Sequence, residues 1–329
     1  MADYSIAELA QNVNMYELAF KTNRGMTLTA EEDKARDNLD QYFKEVGARG
    51  RDKEHQVADF MQEVVHEELY NTPDELLDVM FDQGDVGEFD DYEGYTEPKN
   101  TLVAYEAAKG GNVERSFLDP SFLKPTWKNR QIETDISFAE LERGGWKSVS
   151  KYTEYATAAF KNARFQDIFA IIDAAMAPGA ENVITVASSF PTQVAVDQAA
   201  LYIQDRADDK GIFIGRSKYI QAISKLPGFI SQDMMNEINR TGRLGTYDGV
   251  SLIPISSAKK LGDGSGLIMD KRIFGIAGKI GRLNTKGSIK TYQVEDPNKE
   301  KMHIMFKNFT YGFSFNKDTL ENIVKITLE

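Results

Sequence analysis

Between residues 148 and 177 the apolar side chains recur at spacings of three and four. They are Tyr152, Tyr155, Ala156, Ala159, Phe160, Ala163, Ile168, Phe169, Ile172, Ala175 and Met176. This period predicts one unbroken helix, which Pro178-Gly179 stops. At about 1.5 Å per residue, it is a rod roughly 45 Å long. Its stripe is core material. Its length and its flanks are less ordinary, because an extended segment precedes it and strands follow it.

The preceding segment, residues 101–145, reads as extended. Asp119-Pro120 and Lys124-Pro125 push the residue before each proline out of helical geometry. Gln131 to Phe138 alternates Ile132, Thr134, Ile136 and Phe138 with polar residues, which predicts a strand with one buried face. With a turn at Gly110-Gly111, this fits a long two-stranded arm ended by Gly144-Gly145. A lone hairpin is barely stable in water, so the arm needs a surface to lie on.

Upstream, residues 1 to about 70 read as helices. Thr29 followed by Glu32 is a capping-box pattern ahead of Leu39, Tyr42, Phe43 and Val46. Thr72-Pro73-Asp74-Glu75 opens a short helix. Residues 82–97, rich in glycine and carboxylates, read as a loop and a boundary. Downstream, strands are expected at 182–186, 211–214, 250–255 and 288–294, at 301–315 and at 323–328. Helices are expected at 192–205, 217–226 and 231–238. No internal repeat is evident.

The net charge of −12 is unevenly placed. Residues 1–100 carry 25 acidic and 9 basic side chains, −16 in all, which leaves 26 acidic and 30 basic residues, +4, for the rest. An acidic segment repels phosphates, which argues against sequence-specific DNA recognition there and predicts a solvated helical face. Cys is absent, so disulfides, zinc-thiolate sites and Cys nucleophiles are excluded. The start, MADYSIAELAQNV, lacks signal-peptide character, and no apolar run is long enough to span a bilayer.

The search for chemistry returns little. His66-Glu67-Glu68 begins like a zincin motif without the second His. Gly262 to Gly266 is glycine-rich but lacks the Lys-Ser/Thr of a phosphate loop, and reads as a mobile loop. The carboxylates of 82–97 do not follow calcium-loop spacing. No Gly-x-Ser-x-Gly elbow occurs. No catalytic, metal or cofactor site is assigned. Trp127, Lys128, Arg130, Arg143, Trp146 and Lys147 flank the arm. Such residues suit either nucleic-acid stacking or intersubunit anchors and ion pairs. Interleaving with Glu133, Asp135, Glu140 and Glu142 favours the second, so Trp127, Arg130, Arg143, Trp146 and Lys147 are the candidate intersubunit contacts.

Three stretches carry a family resemblance: GGWKSVSKYTEYATAAFKNARFQDIFAIIDAAM, DGVSLIPISS with GLIMDKRIFGIAGKIG, and NFTYGFSFNKDTLENIVKITLE. Their order and texture resemble the major capsid (major head) proteins of tailed bacteriophages, of the Hong Kong 97-type fold. The resemblance implies an α+β chain with four regions. Residues 1–100 would be an acidic helical N-terminal arm or scaffold-like region. Residues 101–147 would be the extended β-hairpin loop lying on a neighbour. Residues 148–181 with 285–329 would be a peripheral domain built on the spine helix, and 182–284 an α/β axial domain. It implies a structural protein, not an enzyme, that assembles through pentamers and hexamers into an icosahedral virion shell in the host cytoplasm. That shell would enclose double-stranded DNA. Scaffolding, portal and decoration proteins would be further partners, with no membrane involved. The acidic region would face outward or keep DNA from sticking prematurely. An encapsulin-like compartment shares these expectations, and an α/β enzyme with an acidic metal-binding loop is the rival from another class.

Overall fold

The computed structural model describes residues 13–49, 54–71, 74–90, 94–95, 102, 122–123, 125–206, 211–226, 245–257, 261, 264–296, 300–315 and 320–329. The expected turn at Gly110-Gly111, the expected helix at 231–238 and Gly262-Asp263 lie outside them.

The spine is helix α6, Trp146–Ala175, against an expected 148–177. Everything else is arranged around it. On one side pack α1 (Met15–Arg24), α2 (Ala30–Arg49) and α3 (Glu54–His66), the last continuing into a π-helical turn at Glu67–Asn71. The capping box is present. Thr29 N donates to Glu32 Oε2 at 2.8 Å, and Glu32 N donates to Thr29 Oγ1 at 3.2 Å. Lys21 Nζ adds a bond to Glu32 Oε1 at 2.7 Å. These helices share one core with the spine, through Leu39, Phe43, Val57 and Phe60. The N-terminal region is therefore part of the body and not a detached arm. The apolar residues of these helices are buried against α6, with α2 also packing on the helix Phe138–Gly144 and α3 on the strand Lys290–Asp296.

A short helix α4 (Glu75–Met80) leads into β1, Phe81–Val86. The glycine and carboxylate pattern predicted a loop here. Instead β1 pairs in parallel with β10 (Gly281–Lys286), Phe81 opposite Gly281. Phe81 is fully buried, and Lys279 Nζ holds Asp82 at 2.6 Å. Long-range pairing overrides the local breaker signal.

Then come β2 (Gly94–Tyr95), β3 (Phe122–Leu123) and β4 (Thr126–Ser137). β2 and β3 pair antiparallel, closing the stem of the segment between them. β4 does not stand clear of the body. It pairs antiparallel with β12 (Lys301–Phe315) from Ser137 opposite Lys301 to Thr126 opposite Phe313. Period-two alternation specifies a half-buried strand but not whose sheet buries it. A helix α5 (Phe138–Gly144), capped by Ser137, replaces the last part of the expected arm.

β12 is the centre of a five-stranded sheet. β4 lines one edge of it, while β11 (Lys290–Asp296) and β10 share the other. A bulge at Lys307 and Asn308 lies between the two halves of the β4 ladder, with Asn308 at φ 67°, a conformation asparagine tolerates well. The second sheet holds β5 (Val183–Val186), β6 (Ile212–Arg216), β7 (Thr246–Tyr247) and β8 (Val250–Ile255). With them are β9 (Arg272–Ile276) and β13 (Ile323–Leu328). Its order is β5-β13-β9-β6-β8-β7, with α7 (Gln193–Arg206) and α8 (Ser217–Ile223) against it. β13 thus lies in this six-stranded sheet, although the rest of 285–315 belongs with the five-stranded one. Its residues Ile323, Val324, Ile326 and Leu328 are buried between two neighbours, which an apolar run favours.

Both ends of the spine are held by charges from other elements. At the N-terminus, Asp40 Oδ1 of α2 accepts from Trp146 N at 3.2 Å. Gly145 has φ 49°, and a Cβ there would meet Asp40 Oδ1 at 2.3 Å, so glycine is needed for this approach. At the C-terminus, Lys325 Nζ of β13, buried, donates to the carbonyls of Asp173 (3.1 Å) and Met176 (2.9 Å). Anion at the start and cation at the end both oppose the helix dipole.

Lys325→Met removes the C-terminal partner and leaves buried carbonyls unpaired. It is expected to cost about 1–3 kcal/mol, read as a lowered midpoint in urea unfolding. Glu32 is the pH-dependent case. Bonds from Lys21 and then Thr29 hold its carboxyl below the ordinary 4.5. Its contribution is therefore present above that value and lost as pH falls through the lower folded-state value. The Tm gap between the unmodified chain and Glu32→Gln should narrow on acidification from pH 7 to about pH 3.

Candidate functional site: the spine, the arm stem and the surfaces around them

The five candidate contact residues separate into three kinds. Trp146 is a correction. It is only 1% exposed and sits in an aromatic cluster with Phe43 (ring centroids 6.2 Å apart) and Phe60 (5.4 Å). Its indole N–H donates to Thr22 Oγ1 at 3.3 Å. The ring anchors the N-terminal helices to the spine within one chain, so it has no face to offer a neighbour. A tryptophan beside a glycine pair carries no mark in the sequence that separates core from interface.

Arg130 and Trp127 are spent on fastening β4. Arg130 makes a two-pronged bond with Asp167 of the spine, Nη2 to Oδ1 at 2.6 Å and Nε to Oδ2 at 3.0 Å. Tyr311 of β12 donates to Asp167 Oδ2 at 2.6 Å. Donating to the Asp167 carboxylate holds the Arg130 cation above its usual range, and burial followed by the same carboxylate pushes the Tyr311 phenol well above its own. One carboxylate therefore ties strand β4, the spine and β12 together. Two-pronged arginine pairs are the strong, directional kind. Trp127 lies across Gly312 of β12, where a Cβ would meet the ring at 2.7 Å, so glycine is required on the partner strand. Lys286 Nζ stands 5.4 Å from the Trp127 ring centre. Tyr311, Asp167 and Gly312 were not singled out in the sequence. Only the register of β4 on β12 reveals them.

Arg143 and Lys147 are exposed, and the structure leaves them on the surface. The glycine-rich loop is not wholly free. Its Ser265 Oγ accepts from Gln166 of the spine at 3.1 Å. Beside it lies a cavity of about 860 Å³, lined by Gln166, Arg216, Met269 and Asp270 among others. Arg216 there is already engaged by Ile268 O at 2.9 Å and Asp270 at 3.0 Å. Among the described residues no group of three or more His, Cys, Asp or Glu is placed to hold a metal ion. No described helix is long and apolar enough to cross a membrane.

Residues 5–315 match the family described as "SPbeta prophage-derived putative capsid protein YonB". The chain belongs to this capsid-protein family. No curated protein matches it in sequence. Solved structures carry the fold. A structure of Gordonia phage Cozz superposes with a TM-score of 0.53 at 11% identity, over 77% of this chain and 86% of that one. A satellite phage P4 procapsid that includes the size determination protein gives 0.51 at 9%, over 82% and 90%. The capsid of an empty GTA particle gives 0.54 at 9%, over 77% and 89%. The tailed-phage capsid fold that the sequence resembles is therefore the fold of this chain, which is a structural protein of the phage capsid shell.

Trp146→Ala separates a core anchor from a contact residue. The subunit itself should lose about 3–5 kcal/mol of stability, while Lys147→Ala should change it by less than about 0.5 kcal/mol. Both are measured on unassembled subunits by urea unfolding.

Proposed function

We propose that copies of this chain close, through pentamers and hexamers, into an icosahedral head around double-stranded DNA that they enclose without reading its sequence. The observation that carries this is the match to a capsid family over residues 5–315, on a body with a capsid fold. Ring closure requires contacts in which one face of a copy meets a different face of the next. In this reading the extended loop, residues 101–147, laps onto a neighbour, and Asp167 clamps its strand β4 to the spine through Arg130. The five-stranded sheet with the spine makes the peripheral part, and the six-stranded sheet makes the axial part. Arg143 and Lys147 lie at subunit boundaries, and scaffolding, portal and decoration proteins are additional partners. The role involves no catalysis.

The test is negative-stain imaging of the purified chain, with nucleic acid assayed after nuclease treatment. Closed shells, or pentameric and hexameric rings, are expected, and shells recovered from infected cells should hold protected DNA. A chain that stays monomeric at micromolar concentration, alone and with its scaffolding partner, would remove the reading. Shells holding protein cargo and no DNA would make it a compartment instead.

A further inference from the structure

The first half of the spine leaves one face uncovered. Lys147, Lys151 and Tyr155 stand on it at intervals of four residues, all exposed, Tyr155 to 60%. Arg143, in the last turn of α5, is exposed just before them. Among the described residues, none of these three cations makes an ion pair. Lys151 Nζ lies 5.6 Å from the centre of the Tyr155 ring. Some lysines elsewhere are matched within the chain, Lys44 by Asp40, Lys279 by Asp82 and Lys290 by Glu88.

The same subunit carries a surface of opposite sign. Helices α2 and α5 border a groove of about 480 Å³ lined by Asp37, Asp40, Lys44, Glu45 and Glu142, with Gln41 and Ala48. The lining residues themselves carry four carboxylates and one ammonium (4 − 1 = 3), with Arg36 beside them paired to Asp37 at 2.8 Å, so the groove is net acidic, while Arg143, Lys147 and Lys151 are cationic.

We propose that the cationic face of the spine on one copy docks into the acidic groove between α2 and α5 on the next. This deepens, and rests on, the reading of the chain as a self-assembling shell subunit. Each copy brings one face and one groove, so the contact is head-to-tail and repeats around a ring. Opposite charge steers the encounter and disfavours like-faced pairing. Each ion pair is weak alone, and repetition over many copies makes the sum count. Packaged DNA is the less favoured occupant. The cationic row is short and is flanked by Glu140, Glu142 and Glu154, which would repel phosphate. Its Tyr155 is of the type that anchors protein interfaces.

A charge swap tests the pairing. Lys147→Glu with Lys151→Glu leaves the face at −1. Asp37→Lys with Glu45→Lys leaves the groove at +1. Each pair of substitutions alone should cut particle yield about tenfold, the effect of roughly 1.4 kcal/mol per contact. All four together should restore it to within about twofold. Circular dichroism and Tm on unassembled subunits confirm folding, and raised salt should dissociate rings of the unmodified chain. A fourfold variant no better than its parents overturns the proposal. So does a face variant that assembles at full yield but loses packaged DNA, which would assign the row to phosphate. If the unmodified chain forms no particles, the shell reading itself falls, and this contact falls with it.

Discussion

A helix of thirty residues ends in backbone groups that its own turns cannot satisfy, and it carries a dipole along its length. Here both ends are completed by residues from other elements, Asp40 from α2 and Lys325 from β13. Those two contacts reach across the fold. The first commits the N-terminal helices to the spine, with the Phe43, Phe60 and Trp146 cluster packing behind it. The second commits the six-stranded sheet, because β13 lies between β5 and β9 while its lysine reaches the carbonyls at the end of α6. The rod becomes a shared support for parts of the chain that are far apart in sequence.

Between its ends, the spine organises a polar belt. Asp167 binds Arg130 and Tyr311 together, and Arg164, one turn earlier and almost wholly buried, faces Asp74 at 3.8 Å. Apolar packing alone would let the helix rotate or slide against the sheet. Directional bonds to a single carboxylate fix its register, which matters for a subunit whose outer faces must meet copies of themselves at set angles.

Much of this was legible in the sequence, for identifiable reasons. The spine came from a sustained three-and-four period, the α2 cap from Thr29 and Glu32, and β8, β12 and β13 from apolar or alternating runs bounded by turns. The misreadings share a cause. β1 looked like a loop because its stability lies in pairing with residues two hundred positions away. The alternation of β4 shows its buried face but not that β12 is the strand it pairs with. Trp146 showed size and aromaticity but not direction. The sequence does not show that Arg130 bonds Asp167 or that Trp127 lies across Gly312, because both partners are far away in the chain. Local pattern specifies what an element is, and only the tertiary pairing says against what it rests.

The ladder between β4 and β12 joins eleven residue pairs, with Trp127 and Arg130 as side-chain fasteners. β4 follows directly on the stem formed by β2 and β3. Tension arriving through that stem along the strand axis is borne by the whole ladder in shear, all the bonds at once, and not one after another as in peeling. A joint loaded in shear is the arrangement in which a modest set of hydrogen bonds resists such a pull best.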